Sequence, residues 1–414
     1  MIIDSKQYNG LCSCGKNHEM ATEFCLIESG CLKTVDVYLK KYGLRGYTVA
    51  VYDENTYQAT ADRHPQADLE VVLPAKDLHA NEHGVDLLLA ELPEETEIIL
   101  AIGAGTIHDI SRYCAYTRHI DFVSCPTAAS VDGFCSSVAA MTWHGCKKTL
   151  TAVAPRIVIA DLDIIQNAPS RLVKSGFGDM VGKYIALTDW KVGNLLAEEF
   201  YCHRIADMTY QATENVLNSA EGIVSGDRDA YEKLTYGLLL SGLAMQMLGT
   251  SRPASGAEHH ISHLIEMNPP AVANNSDALH GAKVGVGTLL VMKEYHRMAS
   301  MECLNCKDYE MYSEERITNI FGLEMAPDIL EENKNDAAKN VTAKKIQANW
   351  NTICEIISRL PKVQELETLY KKLGLKASLK DIDVSHVRED VLLRNAPMVR
   401  NRLTLLRLRK CFEL

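Results

Sequence analysis

Between Tyr47 and Asp161 the chain alternates short β-branched and aliphatic runs with helical stretches: YTVAVYD, ADLEVVLP, GVDLLLAEL, ETEIILAIG, a helix from about Thr106, DFVSCPT and RIVIAD. Parallel neighbours need a crossover, usually a helix, and strands covered on both faces read as continuous apolar runs. The pattern therefore predicts a parallel sheet with crossover helices. After Pro169 the β-branched runs give way to long helical patterns, as in KYIALTDWKVGNLLAEEFYCHRIADMTYQATENVLNSA. A chain of 414 residues exceeds one ordinary core, so the expectation is an α/β domain over 1–168 followed by an all-helical domain over 169–414.

Composition narrows the function classes. With 47% hydrophobic and 23% charged residues the chain reads as globular. A net charge of −11 argues against a nucleic-acid surface and gives no general attraction to anionic membranes. The start, MIIDSKQYNG, has no basic region followed by an apolar run, and no segment stays apolar for the roughly 18 residues of a membrane span. No stable membrane insertion and a cytoplasmic location are the expectation. The C-terminal LTLLRLRK reads as a final helix docked on its domain, and the charged stretch from Glu331 as a solvated turn and helix start.

Three features of the first half suit a dinucleotide. Between the strand ending at Ile102 and the next helix lies GAGTIHD, Gly103 to Asp109. Glycines there let the backbone approach a pyrophosphate, and the helix N-terminus presents N–H groups and a positive dipole end. The same turn is common without a nucleotide, and the third glycine of GxGxxG is missing. Asp53 closes an earlier strand, where a carboxylate can accept from ribose hydroxyls and repel a 2′-phosphate, or can simply cap a turn. PTAASVDGFCSS, Pro126 to Ser137, follows a buried strand with Thr127, Ser130 and Ser136 as compact donors. Asp132 within it is a candidate to hold a substrate hydroxyl.

The second half carries metal-binding potential. Asp179 lies in SGFGDMVGK, at the opening of an expected helix; SRPASGAEHHISH sets His259 and His263 on one helical face (i, i+4), and His280 opens a further helix. One carboxylate and two imidazoles, from Asp179, His259 and His280, with positions left for water or substrate, would be catalytic rather than structural ligation; the alternative for any one of the histidines is a packed, hydrogen-bonded side chain. Cys12, Cys14 and His18 form the only tight cluster among thirteen cysteines. They supply three ligands with no obvious fourth, short of a closed structural site, and a turn with incidental thiols is the alternative.

In GAGTIHD, PTAASVDGF, IADLDII, GFGDMVGK, SRPASGAEHHISH and HGAKVGVGT, from about Gly103 to Thr288, the chain resembles the sn-glycerol-1-phosphate dehydrogenases. Their superfamily also holds glycerol dehydrogenase, the iron-containing alcohol dehydrogenases and dehydroquinate synthase. The resemblance implies a dehydroquinate synthase-like architecture and reversible reduction of dihydroxyacetone phosphate to sn-glycerol 1-phosphate, for glycerolipid synthesis. It implies that Asp53, Gly105, Thr106, Ile107, His108, Asp109, Thr127, Ala128, Ala129, Ser130 and Ser136 contact NAD(H) or NADP(H). It implies that Asp179, His259 and His280 bind the metal, while Asp132 and His263 face the substrate. His259 is preferred to His260 because the family motif has the form EHxxSH. Where alcohol dehydrogenase cousins carry a further metal-binding histidine, this chain has Lys183, which favours a three-ligand zinc or nickel site over iron. Lys147, Lys148 and Arg252 are candidates for the substrate phosphate of a small phosphorylated polyol. Glycerol dehydrogenase and a dehydroquinate-synthase-like lyase are the alternatives. A symmetric homo-oligomer, a dimer or higher, is expected of a metabolic enzyme.

Overall fold

A seven-stranded sheet organises the first half of the chain. The computed structural model describes residues 1–144, 146–301 and 306–412, with Cys146 and Lys147 described by backbone alone. The strands are β1 (Ile2–Asp4), β4 (Phe24–Glu28), β5 (Tyr47–Asp53), β6 (Leu69–Leu73), β7 (Thr96–Gly103), β8 (Asp121–Pro126) and β11 (Ile157–Asp161), in the spatial order β1-β4-β11-β8-β7-β5-β6. All neighbours pair in parallel except β1 with β4. Apolar runs in β5, β7, β8 and β11 are buried along nearly their whole length because both faces are covered, as the sequence pattern requires. The β5-β6 connection runs outward to one edge while β7 returns to the other side of β5, so the strand order reverses between β5 and β7. Such a reversal opens a crevice at the carboxyl ends of the two strands.

Two hairpins and one edge were missed by the alternation pattern. β2 (Gly10–Leu11) pairs with β3 (Asn17–His18), and β9 (Val138–Trp143) pairs with β10 (Cys146–Thr151). Residues 146–149, around the two lysines considered for the substrate phosphate, are part of β10: Lys148 lies opposite Met141 and is exposed, while the Lys147 side chain lies outside the described residues. The N-terminal forty residues contribute β1 and β4, whose strands are too short to stand out by periodicity.

The chain divides into two compact units, Met1–Phe177 with Glu214–Thr250, and Gly178–Thr213 with Ser251–Leu414. A single cut after residue 168 would leave residues 214–250 with the helical unit; they belong with the sheet. The contact responsible is long-range: in the helix Arg228–Leu248, Gly242 comes so close to the loop of Asp132 and Cys135 that a Cβ would meet the Asp132 carbonyl oxygen at 2.8 Å. Among the described residues no helix is long and apolar enough to cross a membrane.

Five helices matter to the candidate sites: α1 (Gly105–Arg118), α2 (Ser170–Ala197), α3 (Arg228–Leu248), α4 (Ala257–Met267) and α5 (His280–Ala299). α2 starts at Ser170, immediately after Pro169, so Asp179 sits in its third turn and not at its opening. Within the helical unit α2, α4 and α5 pack backbone to backbone. A Cβ on Gly178 would lie 2.3 Å from the Gly281 carbonyl oxygen, and one on Gly287 would lie 2.7 Å from the Glu258 carbonyl oxygen. A Cβ on Gly182 would meet Val284 Cγ1 at 2.8 Å. These glycines lower helix propensity, but each permits an approach that no other residue allows.

The C-terminal segment docks rather than lying on a surface. Arg407 is fully buried and bidentate on Asp336, with Nε to Oδ1 at 3.1 Å and Nη2 to Oδ2 at 2.9 Å. Its other donors reach Asn333 Oδ1 and the Pro397 carbonyl, both at 2.6 Å. Asp336, expected on a solvated turn, is therefore interior. Burial alone would raise its pKa, but the guanidinium outweighs burial and holds the carboxyl below its ordinary value.

Removing one partner strands a buried charge, so Arg407→Ala is expected to cost about 3–5 kcal/mol of stability, read by denaturant unfolding. Because the folded pKa of Asp336 is depressed, the pair's contribution is present above an unfolded value of about 3.9 and is lost as pH falls through the folded value. Asp336→Asn should flatten that acid limb; an unchanged acid transition would remove the pair from the account. Gly178→Ala should cost about 1–3 kcal/mol by overpacking and lower the thermal midpoint, whereas an unchanged midpoint would mean that α2 and α5 can separate without penalty.

Candidate metal centre and nucleotide-binding turn

In the helical unit, Asp179 on α2, His259 on α4 and His280 at the first position of α5 bring one ligand atom each within 4.8 Å of one another. His259 Nε2 lies 3.6 Å from Asp179 Oδ1, and the His259 and His280 ring centroids are 5.3 Å apart. The glycine contacts produce this convergence: Gly178 precedes Asp179, Gly281 follows His280, and Gly287 seats α5 against the backbone of Glu258.

Each imidazole is held from behind by a carboxylate. Glu258 Oε1 lies 2.6 Å from His259 Nδ1 and also accepts from the Gly256 amide at 2.9 Å. Glu266 Oε1 lies 2.8 Å from His280 Nδ1 and accepts from the Ser262 hydroxyl at 3.2 Å. A carboxylate on Nδ1 fixes the tautomer that turns the Nε2 lone pair outward, the usual support of a metal-binding histidine. One carboxylate and two such imidazoles, buried or half-buried, form a donor set that fits a divalent cation with open positions.

Electrostatics are dominated by the acidic groups. Burial alone would raise the Asp179 pKa, but the Lys183 ammonium, 2.7 Å from Oδ1, and His259 outweigh it and hold the carboxyl well below the usual range. Lys183 is itself fully buried and also donates to the Ala254 carbonyl at 3.1 Å. Burial would lower the His259 pKa, yet its bonds to Asp179 and Glu258 push it up to about 9. His260 is buried with neither ring nitrogen hydrogen-bonded, and burial drives its pKa far down. It is His259, not His260, that faces Asp179.

His263 stands beside this group. Its ring stacks on His280 at 5.8 Å, and His263, Glu266 and His280 also bring ligand atoms within 4.8 Å of one another. Burial pushes its pKa down in spite of Glu266. Glu266 escaped the sequence reading, although it follows His263 by three residues and so shares its helical face.

In the sheet unit, the carboxyl ends of β5 and β7 carry Asp53 and the Gly103 turn. A Cβ on Gly103 would lie 2.5 Å from Ile107 Cβ, so only glycine fits between strand and helix. Ala104 at the N-cap of α1 supplies no side-chain acceptor, and a Cβ on Gly105 would meet only Val131 at 3.9 Å. The α1 N-terminus is thus uncapped by its own chain and roomy, which suits a phosphate. Gly105, Thr106 and Asp109 are half-buried, but Ile107 and His108 point inward, His108 bonding Ser124 Oγ at 2.8 Å. Asp53 caps the helix Glu54–Ala59 through the Thr56 amide at 2.8 Å and is partly exposed.

The loop after β8 is interior. Thr127 bonds the Gly103 carbonyl through its amide at 2.9 Å, and Thr127, Ala128, Ala129 and Ser130 are buried. Ser136 closes a local turn with Val138, and Asp132 Oδ2 accepts from Ser241 on α3 at 2.9 Å. Arg112, which the sequence reading passed over, organises this loop. Fully buried on α1, it donates to the carbonyls of Ser136 at 2.6 Å and Phe134 at 3.2 Å. Arg252, expected at a substrate phosphate, is instead committed to the helical unit: it binds Glu199 through Nε and Nη2, and the Asp189 and Leu403 carbonyls.

These arrangements have relatives. The family model described as iron-containing alcohol dehydrogenase matches residues 26–169. A glycerol-1-phosphate dehydrogenase (NAD(P)+) of Bacillus licheniformis is 38% identical over 310 residues, covering 72% of this chain and 77% of that protein. One from Geobacillus stearothermophilus is 32% identical over 408 residues, covering 95% and 94%. In fold, the crystal structure of glycerol dehydrogenase from Schizosaccharomyces pombe aligns with a TM-score of 0.55 at 19% identity, over 84% of this chain and 91% of that one. The chain belongs to the glycerol-1-phosphate dehydrogenase family.

Proposed function

We propose that this protein reduces dihydroxyacetone phosphate reversibly to sn-glycerol 1-phosphate, using NADH or NADPH and one divalent cation, zinc or nickel, held by Asp179, His259 and His280. The observation that carries the reading is the convergence of those three side chains with a carboxylate behind each imidazole. The relatives' name supplies the substrate.

When bound, the dinucleotide supplies the hydride and the cation a Lewis acid at the substrate oxygens. The chain's own residues do the rest. Glu258 and Glu266 orient the two imidazoles. His263, whose ring stacks on that of His280, accepts the C2 hydroxyl proton when the alcohol is oxidised and returns it on reduction. Asp132 orients a substrate hydroxyl. The α1 N-terminus with Gly105 to Asp109 receives the pyrophosphate, and Thr127 to Ser130 with Ser136 line the dinucleotide site. With its Oδ1 on Thr56, Asp53 retains acceptor capacity for a ribose hydroxyl. Lys148, exposed on β10, remains a candidate for the phosphate.

The deciding assay follows NADH oxidation with dihydroxyacetone phosphate after metal is stripped and zinc or nickel restored, with product stereochemistry assigned. Metal-dependent formation of the sn-1 isomer is expected; turnover of glycerol or dihydroxyacetone alone would make the protein a glycerol dehydrogenase. Glu266→Gln keeps the shape but weakens the support of His280, so metal affinity should fall about 10–100-fold by titration. Asp53→Ser retains a helix cap while removing the charge, and should raise the NADPH to NADH ratio of kcat/KM about tenfold or more, the scale of one close like-charge repulsion. No change in that ratio would take Asp53 out of cofactor choice.

A further inference from the structure

The cluster CSCGKNH is not used by the reaction, yet it is assembled as a ligand set. β2 and β3 are two residues each, Gly10 opposite His18 and Leu11 opposite Asn17. Between them the chain folds tightly, the Cys12 amide donating to the Lys16 carbonyl and the Gly15 amide to the Cys12 carbonyl, both at 2.9 Å. Gly15 has φ +86°, a left-handed conformation that side chains disfavour. The fold of this turn gathers Cys12 Sγ, Cys14 Sγ and a ring nitrogen of His18 within 4.8 Å of one another.

Two observations point to a cation rather than to incidental thiols. His18 is fully buried, and its Nδ1 lies 2.8 Å from the Met247 carbonyl on α3. A carbonyl only accepts, so the proton sits on Nδ1 and the Nε2 lone pair faces Cys14 Sγ at 3.3 Å. This is the tautomer and backing that a metal-binding histidine requires. Thiolate and imidazole ligands of one tetrahedral zinc, at about 2.3 and 2.0 Å from the ion, lie about 3.5 Å from each other, close to the spacing found. The second observation is size: a hairpin of two-residue strands has too little pairing to hold its own shape, and a cross-link through an ion supplies what it lacks.

We propose that Cys12, Cys14 and His18 bind a structural zinc-class cation that braces the N-terminal hairpin of the sheet unit. Binding releases the two thiol protons, and the fourth position is completed by a ligand from outside the hairpin. Thiolate donors distinguish this site from that of Asp179, His259 and His280, which contains none.

Cobalt substitution of the full-length protein separates the two. Wild type loaded with Co2+ should show the near-ultraviolet thiolate-to-cobalt charge-transfer band. His280→Ala should keep that band, and Cys14→Ser should abolish it and lower bound zinc by one equivalent per chain. Absence of the band in wild type, or its persistence in the Cys12→Ser/Cys14→Ser double variant, would overturn the proposal. Should the variants fold poorly, alkylation of the wild-type protein decides. Half-buried Cys14 should react with iodoacetamide about tenfold more slowly with zinc than after chelation, since the thiolate is the nucleophile and the metal ligand alike; equal rates would refute the site. None of these readouts depends on dehydrogenase activity.

Discussion

The helical unit depends on backbone meeting backbone where Gly178 touches the Gly281 carbonyl. Ordinary helix pairs stand 8–10 Å apart, spaced by their side chains. Side chains as short as aspartate and histidine reach a common point only if the helices carrying them approach more closely. Gly178, Gly182, Gly285 and Gly287 remove the intervening bulk along the faces that α2, α4 and α5 share. The dense glycine in GFGDMVGK and HGAKVGVG is therefore the means by which Asp179, His259 and His280 converge.

Closeness alone does not aim a ligand. α4 is anchored at its start by Asp189, a buried carboxylate on α2 whose Oδ2 accepts from the Ala257 amide at 2.9 Å. Its Oδ1 accepts from the Tyr295 hydroxyl on α5 at 2.7 Å and from the Leu405 amide at 2.9 Å. One side chain thus ties α2, α4, α5 and the C-terminal segment together, two residues before His259. A Cβ on Gly256 would lie 2.7 Å from Asp189 Oδ2, which is why the residue before α4 has no side chain. Glu258 and Glu266 then set the ring orientations. Positioning here is done by buried carboxyl groups that accept from several donors at once; at Asp189 burial still outweighs those donors and pushes the pKa up to about 7.

In the sheet unit the same task falls to a cation. Arg112 gathers the carbonyls of the loop between β8 and β9, and Gly103 lets α1 leave β7 without a spacer. The polar loop and the uncapped α1 N-terminus are placed by these two residues, one too large to be expected in a core and the other too small to be replaced.

Much of this was legible in the sequence. Parallel strands from Tyr47 to Asp161 could be read because burial on both faces forces continuous apolar runs, and the helices after Pro169 because apolar spacing repeats with the helical turn. The His259 and His263 face followed from helical geometry, and Asp53 could be seen at a strand end because turn chemistry is local. What depended on distant partners was not legible. Residues 214–250 join the sheet unit through a glycine contact with the Asp132 loop, Arg252 is drawn inward by Glu199, and Asp336 is buried by Arg407 seventy-one residues away. By itself the sequence determined the elements and the types of ligand it could offer, since propensity and periodicity act over a few residues. Only tertiary structure decided which carboxylate stands behind which imidazole and which cation is spent on folding, because a buried charge takes the partner that packing brings to it.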